Sequence, residues 1–176
     1  MVKFVLFFFY AGHGISDEKS VAAYLLPTDG KGTMLETGYS LVTLYETLGN
    51  MPAERVTVFT DACFSGSKRG DGMLASARGV AIPYKKEIPT GRVITLTAAQ
   101  GDETAYPYEE KGHGLFTYFL LKKLQESKGE CTIKELGDYV KDKVSKHSIV
   151  VNGKNQTPAI LSSISLGDTW KTMKLK

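Results

Sequence analysis

The stretch that decides the fold reads RVTVFTDACFSG, from Arg55 to Gly66. Its apolar half predicts a buried strand over 55–60, and Cys63 follows just past the end of that strand. A second apolar run, over 2–10, leads in the same way into Ala11-Gly12-His13-Gly14. Because the carboxyl ends of parallel strands meet at one edge of a sheet, we expect His13 and Cys63 to lie together. A cysteine beside a base can act as a nucleophile, so the pair suggests covalent catalysis.

The rest of the chain alternates between strand and helix patterns. Apolar runs and three-four periodicities predict further elements: strands at 21–26 and 92–98, and helices at 41–48, 115–124 and 133–144. Thr132 is a plausible N-cap of the last helix, completed by Glu135. This alternation predicts an α/β fold, a three-layer α/β/α sandwich with a mainly parallel sheet. Residues 65–91 are rich in Gly, Lys and Arg without periodicity, and are expected to form a long exposed loop.

Composition limits the classes of function. The 176 residues, 42% of them hydrophobic, suit a single domain over 1–176. The 22 basic and 19 acidic residues are scattered along the chain, so nucleic acid is not an expected partner. The apolar start is too short to span a membrane and no small-residue cleavage site follows it, although a secretory signal stays an alternative. Two cysteines, Cys63 and Cys131, fit a reducing, cytoplasmic compartment.

These motifs together resemble the caspase-like family of cysteine peptidases, and within it the metacaspase branch. The resemblance rests on Gly12-His13-Gly14, a crossover helix, and Asp61-Ala62-Cys63-Phe64-Ser65-Gly66, and a histidine about fifty residues before the cysteine is a known caspase signature. Downstream, Gly114-Leu115-Phe116-Thr117 and Gln156-Thr157-Pro158 also resemble family segments. The resemblance covers about residues 2–166.

The resemblance implies a role for each matching residue. Cys63 would be the nucleophile and His13 the general base and acid, with the backbone N–H groups of Gly14 and Cys63 forming the oxyanion hole. Asp61 would lie at the floor of the pocket for the residue before the scissile bond, where a carboxylate attracts Lys or Arg. Ala11, at a position commonly serine in metacaspases, and Ala98 and Ala99 in the cleft-lining segment would contact substrate.

The chain also departs from the family pattern, because family members have further strands before the histidine strand. We therefore expect a fragment that lacks its first strands, with unpaired backbone edges that favour oligomerisation. A basic preference would make four residues of the long loop candidate self-cleavage sites: Lys68, Arg69, Lys85 and Lys86. No cofactor is required for the chemistry and no metal site is predicted, but calcium activates some metacaspases. Loop carboxylates are its candidate ligands: Asp71, Asp102, Glu103, Glu109 and Glu110.

Two rival functions remain open. A catalytically silent caspase-like interaction module would keep the fold for binding a partner. A cysteine-dependent phosphatase would use Cys63 and Arg69, which have the spacing of a phosphate-binding loop, although Gly70-Asp71-Gly72 opposes the helix that such a loop needs behind it. His113 is expected in an exposed loop ahead of a helix, not in the catalytic machinery.

Overall fold

A computed structural model describes residues 4–17, 19–64, 87–101 and 103–176. In these ranges the elements are β1 (Val5–Ser16), β2 (Ala23–Leu26), β3 (Tyr39–Ser40), α1 (Leu41–Gly49), β4 (Arg55–Cys63), β5 (Val93–Thr97), β6 (Pro107–Tyr108), β7 (His113–Gly114), α2 (Leu115–Ser127), α3 (Ile133–Asn152) and β8 (Ala159–Ser162). Short 3-10 helices complete them: Leu35–Thr37, Glu109–Lys111, Ile164–Leu166 and Thr169–Thr172. Most of the predicted 65–91 loop, including all four candidate self-cleavage sites, lies outside the described residues.

The main sheet has six strands in the order β3-β2-β1-β4-β5-β8. Its centre is parallel as predicted, since β1 pairs with β4 and β4 with β5 in parallel. The outer strands β2, β3 and β8 are antiparallel to their neighbours, so the sheet is mixed. β2 returns antiparallel because the connection from β1 is a tight turn, in which Val21 N–H donates to Asp17 O at 2.8 Å. So short a link allows a hairpin but no crossover.

The central strand β4 separates two cores. Residues Arg55 to Ala62 are all buried, as expected of a parallel strand covered on both faces. Phe59 belongs to the core that β5 forms with α2 and α3, whereas Val58 belongs to the core around α1. Successive side chains of a strand point to opposite faces, so odd-numbered residues of β4 face α2 and α3. The predicted α/β sandwich is confirmed.

β1 is less enclosed than β4. Between Val5 and Gly12 it pairs with β4 alone among the described residues, because β2 joins it only from His13 onward. Phe7 and Phe9 are each 50% exposed on the same face of the sheet as Phe59. The Phe7 ring stacks on Phe59 at 6.4 Å between centroids. Among the described residues, this part of β1 therefore has one unpaired edge and one partly exposed face.

α3 is capped as the sequence predicts. Glu135 N–H donates to the Thr132 hydroxyl at 3.1 Å, and Thr132 N–H donates to a Glu135 carboxylate oxygen at 2.8 Å. The helix continues to Asn152, eight residues past the predicted end, and stops before Gly153, whose φ of 65° is in the left-handed region. Trp170 packs back against the core of α2 and α3, so the chain's last residues support the helical layer.

The capping box yields a stability prediction. Thr132→Ala removes the hydroxyl acceptor at the start of α3, and we expect the free energy of unfolding to fall by about 1 kcal/mol. Thr132→Ser keeps an acceptor and should stay within about 0.5 kcal/mol of the parent. Urea unfolding of the three proteins measures both differences, and equal losses in the two variants would contradict the capping role.

Candidate active site

His13 and Cys63 are direct partners across the β1–β4 ladder. The parallel register runs from Val5 opposite Arg55 to His13 opposite Cys63, and this pair is the last of the ladder. Neighbouring strands lie about 4.8 Å apart, and paired residues project from the same face. His13 is exposed and Cys63 is half-buried. His13 and Cys63 are therefore neighbouring residues at the carboxyl edge of the sheet, and their action as a catalytic pair stays a prediction.

A second pair of the β1–β4 ladder, Ala11 with Asp61, lies next to His13 and Cys63 on the same face of the sheet. These residues stand opposite one another two positions earlier in the ladder. Alternation along the strands puts all four side chains of the two pairs on the face that carries α2 and α3. Ala11 is exposed, whereas Asp61 is only 9% exposed. The face thus presents a thiol, an imidazole and a carboxylate within two rungs of one ladder.

The Cys63 thiol makes its hydrogen bonds with Ala105. The backbone N–H of Ala105 donates to Cys63 Sγ at 3.0 Å, and Sγ donates to the Ala105 carbonyl at 3.1 Å. In the part of the chain that the structure describes, no hydrogen bond joins the thiol to His13. Burial raises the pKa of the Cys63 thiol, the Ala105 N–H partly offsets this, and the nearby Asp61 charge raises it further. The resting thiol is therefore protonated at neutral pH.

Asp61 is tied to the start of α2. Its Oδ2 accepts hydrogen bonds from the backbone N–H of Thr117 at 3.1 Å and from the Thr117 hydroxyl at 2.6 Å. Burial raises the pKa of the Asp61 carboxyl, and these two bonds partly counteract the rise. Both bonds go to the same oxygen. Asp61 caps the helix as well as facing the thiol.

Two glycines are required by close contacts in this region. A Cβ built on Gly114 would lie 2.1 Å from Asp61 Oδ2, because the first turn of α2 sits directly on the carboxylate. A Cβ on Gly14 would lie 2.4 Å from the Phe64 ring and 2.8 Å from the Cys63 carbonyl oxygen. Both positions admit only hydrogen. Gly14 therefore keeps the backbone after His13 in contact with the backbone after Cys63.

The segment after β5 is closed by the side chain of Gln156. Its Oε1 accepts from Tyr106 N–H at 2.9 Å, and its Nε2 donates to the Ala98 carbonyl at 3.1 Å. Ala98 N–H donates to the Thr60 carbonyl at 2.9 Å, so both backbone groups of Ala98 have partners inside the protein. Substrate contact by Ala98 and Ala99, which are both buried, stays a prediction.

Other candidate residues have structural roles. His113 is exposed ahead of α2 as expected, but it lies in the two-residue strand β7 and not in a loop. His147 Nδ1 donates to the Lys143 carbonyl at 2.9 Å, and its ring contacts the Phe119 ring. Glu103 accepts from the Thr157 hydroxyl at 2.9 Å. Asp71 and Asp102 lie outside the described residues. Within the described ranges, no group of three or more His, Cys, Asp or Glu side chains is arranged to hold a metal ion.

Comparison with known families decides the identity of this fold. The family model described as "Caspase domain" matches residues 2–167. The chain belongs to the caspase-domain family. This family is one of cysteine peptidases, and its fold agrees with the six-stranded mixed sheet and the three helices described above. No curated protein sequence matches the chain significantly.

Solved structures agree with a caspase-like fold. Caspase-1 from Spodoptera frugiperda superposes with a TM-score of 0.59 at 17% identity, over 90% of this chain and 59% of that one. A structural-genomics target from Geobacter sulfurreducens superposes with a TM-score of 0.58 at 18% identity, over 90% of this chain and 66% of that one. This chain therefore spans less than two thirds of both. No helix of the described residues is long and apolar enough to cross a bilayer.

The sequence reasoning missed two residues of the caspase-domain site. Ala105, which contacts the thiol, has no side-chain chemistry that a motif search detects. Gln156 stands in a segment that the sequence marks only by its resemblance to a family segment, and its full burial is the signal that sets it apart. A completely buried glutamine is uncommon and needs hydrogen-bond partners, but sequence alone does not reveal burial.

The contact between Gly114 and Asp61 makes a prediction about coupling. Gly114→Ala pushes a methyl group into the carboxylate and should reduce the free energy of unfolding by about 1–3 kcal/mol. In an Asp61→Ala background the carboxylate is absent, so Gly114→Ala should reduce the free energy of unfolding by at least about 1 kcal/mol less than it does in the parent. A double-mutant cycle by denaturant unfolding measures this coupling, and strict additivity would contradict the contact.

Proposed function

We propose that this caspase domain is a cysteine endopeptidase in which Cys63 is the nucleophile and His13 the general base and acid, as in the metacaspase branch. The observation that carries the proposal is the ladder register, which pairs His13 with Cys63 at the carboxyl edge of the sheet. An exposed imidazole beside a half-buried thiol leaves room for a peptide to approach. This arrangement matches the need of covalent catalysis for a nucleophile with an adjacent base.

In the proposed mechanism, His13 takes the thiol proton and the Cys63 sulfur attacks the scissile carbonyl carbon. The backbone N–H groups of Gly14 and Cys63 donate to the oxyanion, an effect that commonly lowers the barrier by about 3 kcal/mol. The histidine then protonates the leaving amine, and the C–N bond breaks to give a thioester. Water, deprotonated by His13, hydrolyses the thioester and restores the thiol. No metal or organic cofactor takes part in these steps.

Selectivity for Arg or Lys before the scissile bond is proposed for Asp61. Thr117 holds Oδ2 in place, and no hydrogen bond within the described residues is given to Oδ1. A substrate guanidinium or ammonium can donate to the second oxygen, and in a buried setting such a charge-assisted bond is strong. An aspartate side chain in the same pocket would meet a like charge, which disfavours cleavage after Asp.

Several secondary aspects belong to the same proposal. The partners are peptide or protein substrates. Calcium would act as an activator, not as a catalytic group, and chelation with EDTA tests that part. Cys63 and Cys131 are free thiols, which supports a reducing, cytoplasmic location.

One observation favours the rival reading as a silent interaction module. Among the described residues, the Cys63 thiol is hydrogen-bonded to Ala105 and not to His13, and burial raises the pKa of the thiol. A nucleophile commonly has a lowered pKa instead. The phosphatase hypothesis depends on Arg69, which lies outside the described residues.

The dyad proposal predicts matched losses of activity. On fluorogenic peptides ending in Arg or Lys, Cys63→Ala and His13→Ala should each lower kcat/KM by at least about 100-fold, because each removes one half of the proton-transfer pair. Thr132→Ser, in the capping box of α3 and away from the dyad, serves as a folded control and should keep most of the activity. Absence of activity in the parent protein, with or without calcium, would favour the interaction module, and release of phosphate from an aryl phosphate would favour the phosphatase.

The specificity proposal predicts a selective loss. Asp61→Asn keeps an oxygen for both Thr117 hydrogen bonds, so the fold should survive. It removes the charge that attracts a basic side chain, and we expect kcat/KM for Arg and Lys peptides to fall about tenfold or more, with a smaller effect on a neutral peptide. Thr117→Val is the companion variant, because it removes the hydroxyl donor to Asp61 Oδ2 and keeps the charge of the carboxylate. Cleavage after Asp by the parent protein would refute the assignment.

A further inference from the structure

The loop from Ala98 to Tyr106 is closed by one side chain. The Gln156 amide reaches both ends of the loop, donating to Ala98 at 3.1 Å and accepting from Tyr106 at 2.9 Å. This loop carries Ala105, whose backbone N–H and carbonyl both contact the Cys63 sulfur. We call the two Gln156 hydrogen bonds the clamp. Ala105, which contacts the candidate nucleophile Cys63, is therefore the residue directly before Tyr106, one of the two residues that the clamp holds.

Gln156 is itself held from behind. Its side chain is fully buried, and its backbone N–H donates at 3.1 Å to the hydroxyl of Ser148, a fully buried residue of α3. Burying a primary amide costs free energy unless its donor and acceptor are both used. Apolar side chains would fill the same space without that requirement, so packing alone does not account for a glutamine here. The hydrogen bonds of its side chain to Ala98 and Tyr106 do account for a glutamine at this position.

The loop has further attachments on both sides of the clamp. Thr157 donates from its hydroxyl to Glu103 at 2.9 Å, and Leu115 N–H at the start of α2 donates to the Tyr106 carbonyl at 2.9 Å. Tyr106 is thus fixed between α2 and Gln156. Each of these attachments holds the loop at one point. Among the described residues, the Gln156 side chain is the one that contacts both of its ends.

We propose that Gln156 is a positioning residue, whose side-chain amide holds both ends of the Ala98–Tyr106 loop and thereby sets the Ala105 backbone against the Cys63 thiol. The part of this proposal that concerns peptide turnover rests on the proposed peptidase function. The part that concerns the thiol does not, because the contact with Ala105 protects a cysteine whether or not it is catalytic.

Releasing the clamp should have two opposite effects. When Ala105 moves away, the sulfur loses the N–H donor that lowers its pKa, but water also reaches it. Because burial is the larger of these two effects, the pKa of Cys63 should fall on balance toward the ordinary cysteine value. Alkylation by a small reagent then becomes faster. Peptide turnover should instead become slower, because Ala105 is no longer held in one position beside the Cys63 sulfur.

The experiment uses Gln156→Met, which keeps the length of the side chain without its hydrogen bonds. Iodoacetamide modification of Cys63 and Cys131 is followed by mass spectrometry between pH 6 and 10. We expect Cys63 to react roughly tenfold faster at pH 7 with a lower midpoint pH, since one pKa unit changes the thiolate fraction tenfold. Cys131, 5% exposed in the helical core, should stay protected as in the parent.

Control variants separate positioning from general loosening. Thr157→Val removes only the hydroxyl contact to Glu103 and should change the Cys63 rate less than about twofold. Gln156→Glu keeps an acceptor for Tyr106 N–H but not the amide donor to Ala98, so its rate should lie between those of the parent and Gln156→Met. Faster reaction at both cysteines, an unchanged Cys63 rate in Gln156→Met, or the reverse order of the two variants would each overturn the proposal. These readouts remain decisive even if the parent cleaves no peptide.

Discussion

The parallel ladder between β1 and β4 is the constraint on which the rest of the site depends. It aligns Val5–His13 with Arg55–Cys63, so one register determines both the His13–Cys63 pair and the Ala11–Asp61 pair. A slip by one residue would turn every side chain of one strand to the opposite face. The register is anchored by burial, because β4 is enclosed by two cores whose residues alternate along it. The packing that stabilises the sheet therefore also aligns the candidate catalytic groups.

The carboxylate of Asp61 links this ladder to the helical layer. Gly114 lets the first turn of α2 approach until Thr117 can donate two hydrogen bonds to Oδ2. The N-terminus of a helix favours negative charge, but burial of the carboxyl acts against it, and burial is the larger effect on its pKa. Substitution of Gly114 or Thr117 should thus disturb the site and the sheet–helix contact together.

Features set by local pattern were predictable from the sequence, and features set by distant contacts were not. The buried strands, the three helices and the Thr132 capping box follow from periodicity and capping chemistry over a few residues. The fold and the pairing of His13 with Cys63 follow from two similar strand ends. The antiparallel return of β2 depends on turn geometry that composition does not specify. The contacts of Ala105 and Gln156 span 42 to 58 residues and involve backbone atoms, which carry no sequence signature.

The electrostatic state of the thiol connects the proposed specificity with the proposed chemistry. The negative charge of Asp61 raises the pKa of Cys63, so the carboxylate that would select a basic substrate also disfavours the thiolate in the empty site. A substrate Arg or Lys bound to Asp61 Oδ1 would neutralise that charge and remove part of the penalty. Under the proposed function, a basic substrate would therefore favour formation of its own nucleophile, whereas a neutral peptide of equal affinity would leave the thiol protonated. Selectivity would then arise in kcat as well as in KM, because the basic side chain contributes to activation and not only to binding.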